Sequence, residues 1–546
     1  MHDPTRDPAA SLRWGVYLIL IALSIGAMVG RVLAVNAVDR IALEKHLKSQ
    51  DRPDWQQQRP FLSANDRSRW LTARALVEHG TYAIDEVIQE PNWDTIDMVK
   101  HDGHLYSSKP PLFPTLMAGE YWLIHRLTGM TLGTHPYEIG RFMVVTINVI
   151  PLAIYFLLLA QLAERFGTTD WGRIFMMAGA TGATFLSTFA VVINNHLIAA
   201  VSVAAAVAAA TAIWCDGERR WRYFAVAGFF AAFAAANELP ALAFLGLLSL
   251  AMLWRAPLQT LLVYVPATLL VVAGFFGTNY IAHGTLIPPY AHRQDGTVLL
   301  TAEGIEPSEL EGGALPQVLR DEFEEHRVPL SPDVQLETDT ATPGWVITDR
   351  ENQRQFAVRV EGARLAIRAW DNWYDYSYER GGKIRESYWR ATSARSIIDQ
   401  GEASRGLYIF NALIGHHGIF SLTPLWLLSV AGTFLAWRSP RTGIRELAVM
   451  TAILTVVCLA FYLTREQIDR NYGGSTSGLR WMFWFAPLWL LTLLPAADWA
   501  SERRWSRGTS LVLLALSALS ASYPIWNPWT HPWLMYLFQY FGWAEI

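Results

Sequence analysis

An all-α polytopic membrane fold, with a large first outward loop and a small mixed α/β outward insert, is the architecture that this sequence predicts. Of the 546 residues, 52% are hydrophobic and only 17% are charged, a composition typical of membrane proteins. Cys215 and Cys458 are the only cysteines and both lie at or inside apolar segments, so no disulfide framework is expected. The net charge of -4 gives no indication of a nucleic-acid partner.

About eleven segments have the length and composition of a membrane span. They lie near residues 14–35, 139–163, 173–193, 196–214, 222–236, 239–254, 258–282, 418–437, 446–463, 480–497 and 508–525. The first is expected to be a retained signal anchor, because Ala34-Val35-Asn36-Ala37 is a poor match to a cleavage site.

The segment 111–128 is ambiguous, because it is apolar but contains prolines, a glutamate, a histidine and an arginine. If it does not cross the membrane, the Lys- and Arg-rich short loops, from Arg6 and Arg13 onward, all face one side. We therefore predict that 111–128 is a helix lying along or dipping into the outer surface. The N-terminus is then cytoplasmic and the C-terminus is outside.

Three regions follow from this arrangement. Residues 1–282 form a membrane core that includes the outward loop 36–138, residues 283–417 form an outward insert, and residues 418–546 add C-terminal membrane helices. In the insert, Gln355–Val360 alternates in polarity and predicts a strand. The aromatic and amide-rich stretch 370–378 suits either a sugar-binding surface or a membrane-interface belt.

Two polar groups stand out in the first outward loop. Asp66 precedes residues with helical spacing, so Asn65 or Asp66 is expected at a helix N-cap, either as a cap alone or as a cap that also holds a reactive carboxylate. Asp102-Gly103 predicts a hairpin turn that delivers Lys109 to the start of the 111–128 helix. Lys109 is placed either to hold a lipid phosphate or to extend toward lipid headgroups.

An outward Asp followed about 40 residues later by Tyr-x-x-Lys-Pro-Pro resembles the GT-C class of membrane glycosyltransferases, which includes the protein O-mannosyltransferases and the lipid A aminoarabinose transferases. The resemblance implies a GT-C-like fold and transfer of a sugar from a polyprenyl-phosphate carrier. It implies that Asp66 is a general base or metal ligand, and that Lys109, with Tyr106 in the same motif, lies near the carrier phosphate. Arg480, after a Gly-rich segment, becomes a second phosphate-binding candidate, or else an interfacial anchor.

The chain departs from the pattern of the class at two positions. Its first acid lacks an acidic neighbour, since it stands in Asn65-Asp66-Arg67. Many relatives have a second acid in the next short outward loop, where this chain has Asn194-Asn195-His196. Glu238, at the following outward junction, is a candidate replacement with a catalytic role, because a carboxylate at that depth is costly unless partnered and such acids are commonly functional. Asn195 and His196 are candidate substrate-binding residues, with helix capping as the alternative for His196. Asp66, His196 and Glu238 together could bind a divalent cation, although no cofactor is certain.

The sequence thus predicts a glycosyltransferase that moves a hexosyl or pentosyl group from a polyprenyl-phosphate-linked donor to a lipid, glycan or protein acceptor. Its expected location, among membrane lipids, is the bacterial cytoplasmic (inner) membrane, with the active site outside. The alternative is a multi-pass transporter or lipid flippase without transferase activity. Against that alternative, the polar residues cluster at one face, and no paired repeat halves are visible.

Overall fold

The computed structural model describes residues 8–34, 61–90, 93–293, 295–339, 343–352, 354–362, 364–390 and 395–544. Arg6 and residues 36–60 of the first outward loop lie outside these ranges. The helices, in chain order, are Pro8–Leu33, Ala64–Arg74, Leu112–Thr128, Pro136–Val144, Ile150–Phe166, Asp170–Gly182, Phe185–Phe189, Asn195–Cys215, Trp221–Asn237, Leu242–Arg255, Pro257–Gln259, Val265–His283, Pro307–Leu310, Gln317–Glu325, Arg405–Leu413, Ile419–Leu422, Trp426–Trp437, Ile444–Leu463, Ala486–Ala500, Arg504–Ser522 and Trp533–Tyr540.

Each of the eleven apolar segments forms helix, but they differ in length. Within the described residues, six helical stretches are long and apolar enough to cross a membrane: Ala9–Leu33, Pro136–Phe166, Asn195–Cys215, Pro257–His283, Ile444–Leu463 and Arg480–Ala500. The chain is therefore a multi-pass membrane protein, while the count of eleven spans stays a prediction. The segment 173–193 differs from a single span, because its helix ends at Gly182 and a second helix, Phe185–Phe189, follows.

Among the membrane helices in the N-terminal half of the chain, Asn195–Cys215 is the most deeply buried. Small alanine side chains lie along most of its length. These side chains allow Trp221–Asn237 and Ile150–Phe166 to pack closely against it. Gly228 shows the same principle, since a Cβ atom there would stand 2.3 Å from the carbonyl oxygen of Tyr264. Two of the predicted site residues, Asn195 and His196, lie at the start of Asn195–Cys215.

The first outward loop contains a two-stranded hairpin of β1 (Met98–His101) and β2 (His104–Ser107). Asp102 and Gly103 form its turn with φ angles of 47° and 81°, as the Asp-Gly signal predicts. The helix Leu112–Thr128 follows as expected, and its placement along the outer surface stays a prediction.

The insert is a mixed α/β unit, as predicted. Its five-stranded antiparallel sheet has the order β3-β7-β6-β5-β4, with β3 Val298–Glu303, β4 Val334–Thr338, β5 Trp345–Asp349, β6 Arg354–Glu361 and β7 Arg364–Ala369. A second hairpin, β8 (Ser377–Arg380) and β9 (Lys383–Glu386), follows. The helix Gln317–Glu325 covers one sheet face, where Phe323 packs edge-on against Phe356 with ring centroids 5.1 Å apart. The predicted strand Gln355–Val360 lies within β6.

Candidate functional site

A cavity of about 280 Å³ lies where the first outward loop, the membrane helices and the insert meet. Lys109 and Arg69 reach it from the first loop, Glu238 and Arg480 from the ends of membrane helices, and Arg293 from the insert. The described lining therefore has four cationic side chains and a single carboxylate. Such an excess of positive charge around a cavity suits an anionic ligand.

Arg69 faces the cavity because of helical periodicity. It lies four residues after Asn65 on Ala64–Arg74, which places both side chains on one helix face. Arg69 Nη1 donates to Asn65 Oδ1 at 2.7 Å, and Nη2 donates to Asn195 Oδ1 at 2.7 Å. Burial lowers the pKa of Arg69 to about 10, so the guanidinium stays charged at neutral pH.

Asp66 points away from the cavity. The prediction that Asn65 or Asp66 is the N-cap is wrong, because the helix begins two or three residues earlier, with Ser63 as its N-cap. Asp66 therefore occupies the third helical position and completes a capping box. Its Oδ1 accepts from the Ser63 N–H at 2.9 Å and its Oδ2 from the Leu62 N–H at 3.1 Å. Burial raises the pKa of Asp66 to about 7, with Arg67 and these N–H groups opposing the rise.

Lys109 forms an ion pair with Asp97, an acid that no sequence motif predicts as a site residue. Its Nζ lies 3.1 Å from Oδ2 of Asp97. Burial raises the pKa of Asp97, but the nearby positive charges of Lys109, Arg480 and Arg69 together outweigh burial and hold that pKa below its usual range. Ser68 Oγ donates to the Asp97 carbonyl oxygen at 2.6 Å and so ties this segment to Ala64–Arg74. No motif marks Asp97, because its partner is 12 residues away across the hairpin.

Glu238 is the carboxylate that lines the cavity, and two neutral side chains contact it. Asn195 Nδ2 donates to Glu238 Oε1 at 2.7 Å and to the Asn237 carbonyl at 3.0 Å. His196 Nδ1 also contacts Glu238 Oε1. The other carboxylate oxygen, Oε2, has no hydrogen-bond partner among the described residues, which leaves it directed at the cavity.

Arg480 contacts His196 through the ring nitrogen that does not face Glu238. Its Nη1 lies 3.3 Å from His196 Nε2. Because a guanidinium can only donate, Nε2 accepts and the His196 proton lies on Nδ1, facing Glu238. Arg69 acts through Asn195 and Arg480 acts through His196, so each arginine is linked to the same carboxylate oxygen by one neutral residue.

The Gly-rich segment before Arg480 has a local steric reason. Arg480 Nε donates to the Gly473 carbonyl at 2.7 Å. Gly473 has a φ of +98°, and a Cβ atom there would stand 2.4 Å from Arg480 Nε. Glycine therefore allows both the backbone angle and the close approach of the guanidinium.

The insert contributes the outer wall. Arg293 lies over the Tyr374 ring, with its Cζ 4.3 Å from the centroid. Its Nη1 lies 3.7 Å from Asp469 Oδ1. Tyr290 also lines the cavity. These residues lie about 180 to 260 positions after Lys109 in the sequence, and no local signal connects them to it.

The predicted site residues are thus only partly brought together. Lys109, Asn195, His196, Glu238 and Arg480 line one cavity, while Asp66 and Tyr106 do not. The Tyr106 ring packs edge-on against His283 with centroids 4.8 Å apart. The paired histidines His416 and His417 pack around Tyr472, away from the cavity.

The proposed metal set of Asp66, His196 and Glu238 is not assembled. Both Asp66 oxygens face backbone N–H groups, and the other two residues lie between two guanidinium groups, which disfavour a cation. In the described part of the chain, no group of three or more His, Cys, Asp or Glu side chains has an arrangement that could hold a metal ion. The residues present therefore do not fit a divalent cation.

Comparison with known proteins finds likeness in structure only. No protein-family model matches the chain, and no curated protein sequence matches it. The Archaeoglobus fulgidus oligosaccharyltransferase in its apo form is 12% identical with a TM-score of 0.39, covering 93% of this chain and 56% of that one. The S. cerevisiae protein O-mannosyltransferase Pmt1-Pmt2 complex bound to its sugar donor is 11% identical with a TM-score of 0.42, covering 97% of this chain and 92% of that one.

This chain therefore spans little more than half the length of the first neighbour. Because both TM-scores are below 0.5, the likeness carries no information about the chemistry of the cavity. That chemistry follows from this chain's own residues.

Proposed function

We propose that this chain is a GT-C glycosyltransferase that transfers a sugar from a polyprenyl-phosphate carrier to an acceptor hydroxyl group. The observation that carries the proposal is the convergence of Arg69, Lys109 and Arg480 around Glu238 in one cavity at the ends of membrane helices. A cavity so placed is reached by a lipid-linked phosphate without removing the lipid from the bilayer. A soluble nucleotide-sugar would not need this placement.

The cationic groups supply the main electrostatic requirement of the reaction. When the bond between the anomeric carbon and the phosphate oxygen breaks, the electron pair leaves with the lipid phosphate, whose negative charge increases. Arg69, Lys109 and Arg480 are buried and positioned before that charge develops, so they stabilise it without reorganisation. Arginine also binds phosphate oxygens through two parallel hydrogen bonds.

Glu238 takes the role of general base. Its free Oε2 accepts the proton of the acceptor hydroxyl as the acceptor oxygen attacks the anomeric carbon. One bond forms and one breaks at that carbon in a single in-line displacement, so the configuration inverts. Asn195 and His196 both occupy Oε1, which orients the carboxylate and keeps Oε2 available.

Asp66 becomes a positioning residue in this scheme. Its capping box fixes the first turn of Ala64–Arg74, and that turn sets the positions of Asn65 and Arg69. The general-base role first considered for Asp66 is assigned instead to Glu238, whose Oε2 faces the cavity.

The proposal extends to the location of the reaction. The Lys and Arg distribution supports a cytoplasmic N-terminus and a cavity on the outer face, which we assign to a bacterial cytoplasmic membrane. Glu238 and Asn195 then lie at outward helix ends, on the same side as Lys109. The acceptor is a lipid, glycan or protein on that face.

The test is a transfer assay with the purified full-length chain and a panel of polyprenyl-phosphate sugars. Release of polyprenyl phosphate that depends on an added acceptor supports the proposal. Movement of the intact lipid-linked sugar between leaflets of a proteoliposome, with no change in its covalent structure, would instead identify a flippase or transporter and contradict it.

A further inference from the structure

A second, larger hollow lies on the other side of the wall that the insert contributes to the cavity. It has a volume of about 1290 Å³ and runs between the β1–β2 hairpin and one end of the five-stranded sheet. We call it the insert cleft. Asp349 at the end of β5, Arg354 at the start of β6 and Ala369 at the end of β7 all line it, because antiparallel neighbours bring these strand ends together.

We infer that the insert cleft binds an uncharged glycan chain and presents it to the cavity as the acceptor. The inference rests on the proposed transferase, because it names the acceptor class of that reaction. It depends on the position of the cleft, its charge, its aromatic surface and its shape.

The position of the cleft follows from a segment shared with the cavity. Tyr374 lines the cavity, while its neighbours Trp373 and Asp375 line the cleft, because the chain makes a turn at these residues. The Lys100 N–H donates to the Trp373 carbonyl at 3.0 Å and joins the hairpin to this wall. The cleft and the cavity are therefore lined by adjacent residues of one segment.

The charge of the cleft favours a neutral ligand. Its lining has four Lys or Arg side chains and four Asp side chains. Most of these acids already have partners: Asp375 lies 2.9 Å from Arg390, Asp371 lies 2.6 Å from His292, and Asp349 accepts from Asn352 at 2.8 Å. The charges balance within the protein, in contrast to the strongly cationic cavity.

Trp370 offers the aromatic surface. It lines the cleft and is half-buried, and among the described residues no other ring or guanidinium packs against its indole. Trp373 differs, because His101 stacks on one side at 4.0 Å and His292 stacks at 3.8 Å. Sugar rings stack on exposed indole faces and bond to planar amides, and Gln355 and Asn372 line the same cleft.

The shape of the cleft distinguishes a glycan from a polypeptide. Peptides commonly bind a sheet by adding a strand to an exposed edge, but the cleft lies at strand ends, and the edge strands of this sheet are β3 and β4. The cleft is also larger than the roughly 300–1,000 Å³ of a typical small-molecule site, which suits several linked sugar units.

The binding test uses the full-length protein in nanodiscs and short unbranched neutral oligosaccharides: a glucan, a mannan, a galactan and an arabinan. Titration calorimetry without any donor is expected to detect binding of at least one of them. Trp370→Ala should weaken that binding at least about tenfold, and Trp370→Phe should restore much of it. Trp221→Ala removes a 71% exposed tryptophan outside the cleft and should bind as the wild type does.

Failure to bind any of the four glycans, equal binding by Trp370→Ala, or Trp370-dependent binding of oligolysine or oligoglutamate peptides would each overturn the inference. With donor present, the KM for the acceptor should rise in Trp370→Ala while donor affinity is unchanged. Transfer with an unchanged acceptor KM would contradict the cleft and leave the transferase. Trp370-dependent glycan binding without any transfer would contradict the transferase and leave a glycan site.

Discussion

The Lys109 Nζ atom lies 3.1 Å from Asp97 Oδ2, with both side chains more than four-fifths buried. The pair joins the two ends of the hairpin that brings Lys109 to the cavity. Buried ion pairs contribute little net stability, but removing one partner leaves an uncompensated charge. The pair therefore matters more for the position and protonation of Lys109 than for holding the fold together.

Binding of a lipid phosphodiester should weaken as the pH rises through about 8. Burial lowers the pKa of Lys109 to about 8, with Asp97 opposing and Arg69 adding to the change, so above that pH the ammonium loses its charge. A phosphodiester does not titrate in this range, which makes a polyprenyl-phosphate sugar the right probe. Lys109→Arg should keep its affinity to higher pH, because arginine stays protonated. Equal affinity of the wild type at pH 7 and pH 9 would refute this.

Glu238→Gln should lower the transfer rate by about 10²- to 10⁴-fold, the usual contribution of a general base. The amide cannot accept a proton, but it keeps the shape of the side chain, so donor affinity should change little. Single-turnover transfer and donor binding, measured on the same preparation, separate the two effects. Asp66→Asn is the matched variant, with transfer near the wild-type rate, and the opposite ranking of the two variants would restore Asp66 as the base.

Asp66 should make the protein less stable as the pH rises from about 4 to about 7. Its folded pKa is raised to about 7, whereas the unfolded value is near 3.9. In that interval the folded state keeps a proton that the unfolded state has lost, so stability falls with rising pH. Since one pKa unit corresponds to about 1.4 kcal/mol, the upper limit is about 4 kcal/mol.

The check is the melting temperature of the purified protein across this pH range. Asp66→Asn keeps an oxygen that accepts from Ser63 but cannot ionise, so its curve should lack this slope. Identical slopes in the variant and the wild type would show that Asp66 is charged throughout.

Gly473→Ala should weaken donor binding although residue 473 touches no substrate. The new Cβ atom would lie 2.4 Å from Arg480 Nε and displace the guanidinium, with an expected loss of about tenfold or more in affinity. Gly474→Ala is the matched control. Its φ of +81° imposes similar backbone strain, but the nearest atom to its Cβ atom is Asp399 Oδ1 at 3.5 Å. Equal losses in both variants would attribute the effect to strain alone.

The sequence by itself determined the features that depend on local patterns. Apolar runs located the membrane helices, Asp102-Gly103 located the hairpin, and alternation located β6. The Tyr-x-x-Lys-Pro-Pro motif and the Gly-rich segment, through their resemblance to a known class, made Lys109 and Arg480 candidates. The helix junctions made His196 and Glu238 candidates. A short stretch of sequence is enough to predict turns, membrane spans and strand periodicity, because these features depend on residues that are near one another along the chain.

Only the tertiary structure decided which polar groups share the cavity. Asp66 and Asn65 are adjacent, yet a one-residue step around a helix turns one toward the backbone of its own N-terminus and the other toward Arg69. Asp97, Arg293 and Tyr374 join the site across a hairpin and an inserted domain. Such contacts depend on how distant elements pack, so no local pattern in the sequence encodes them.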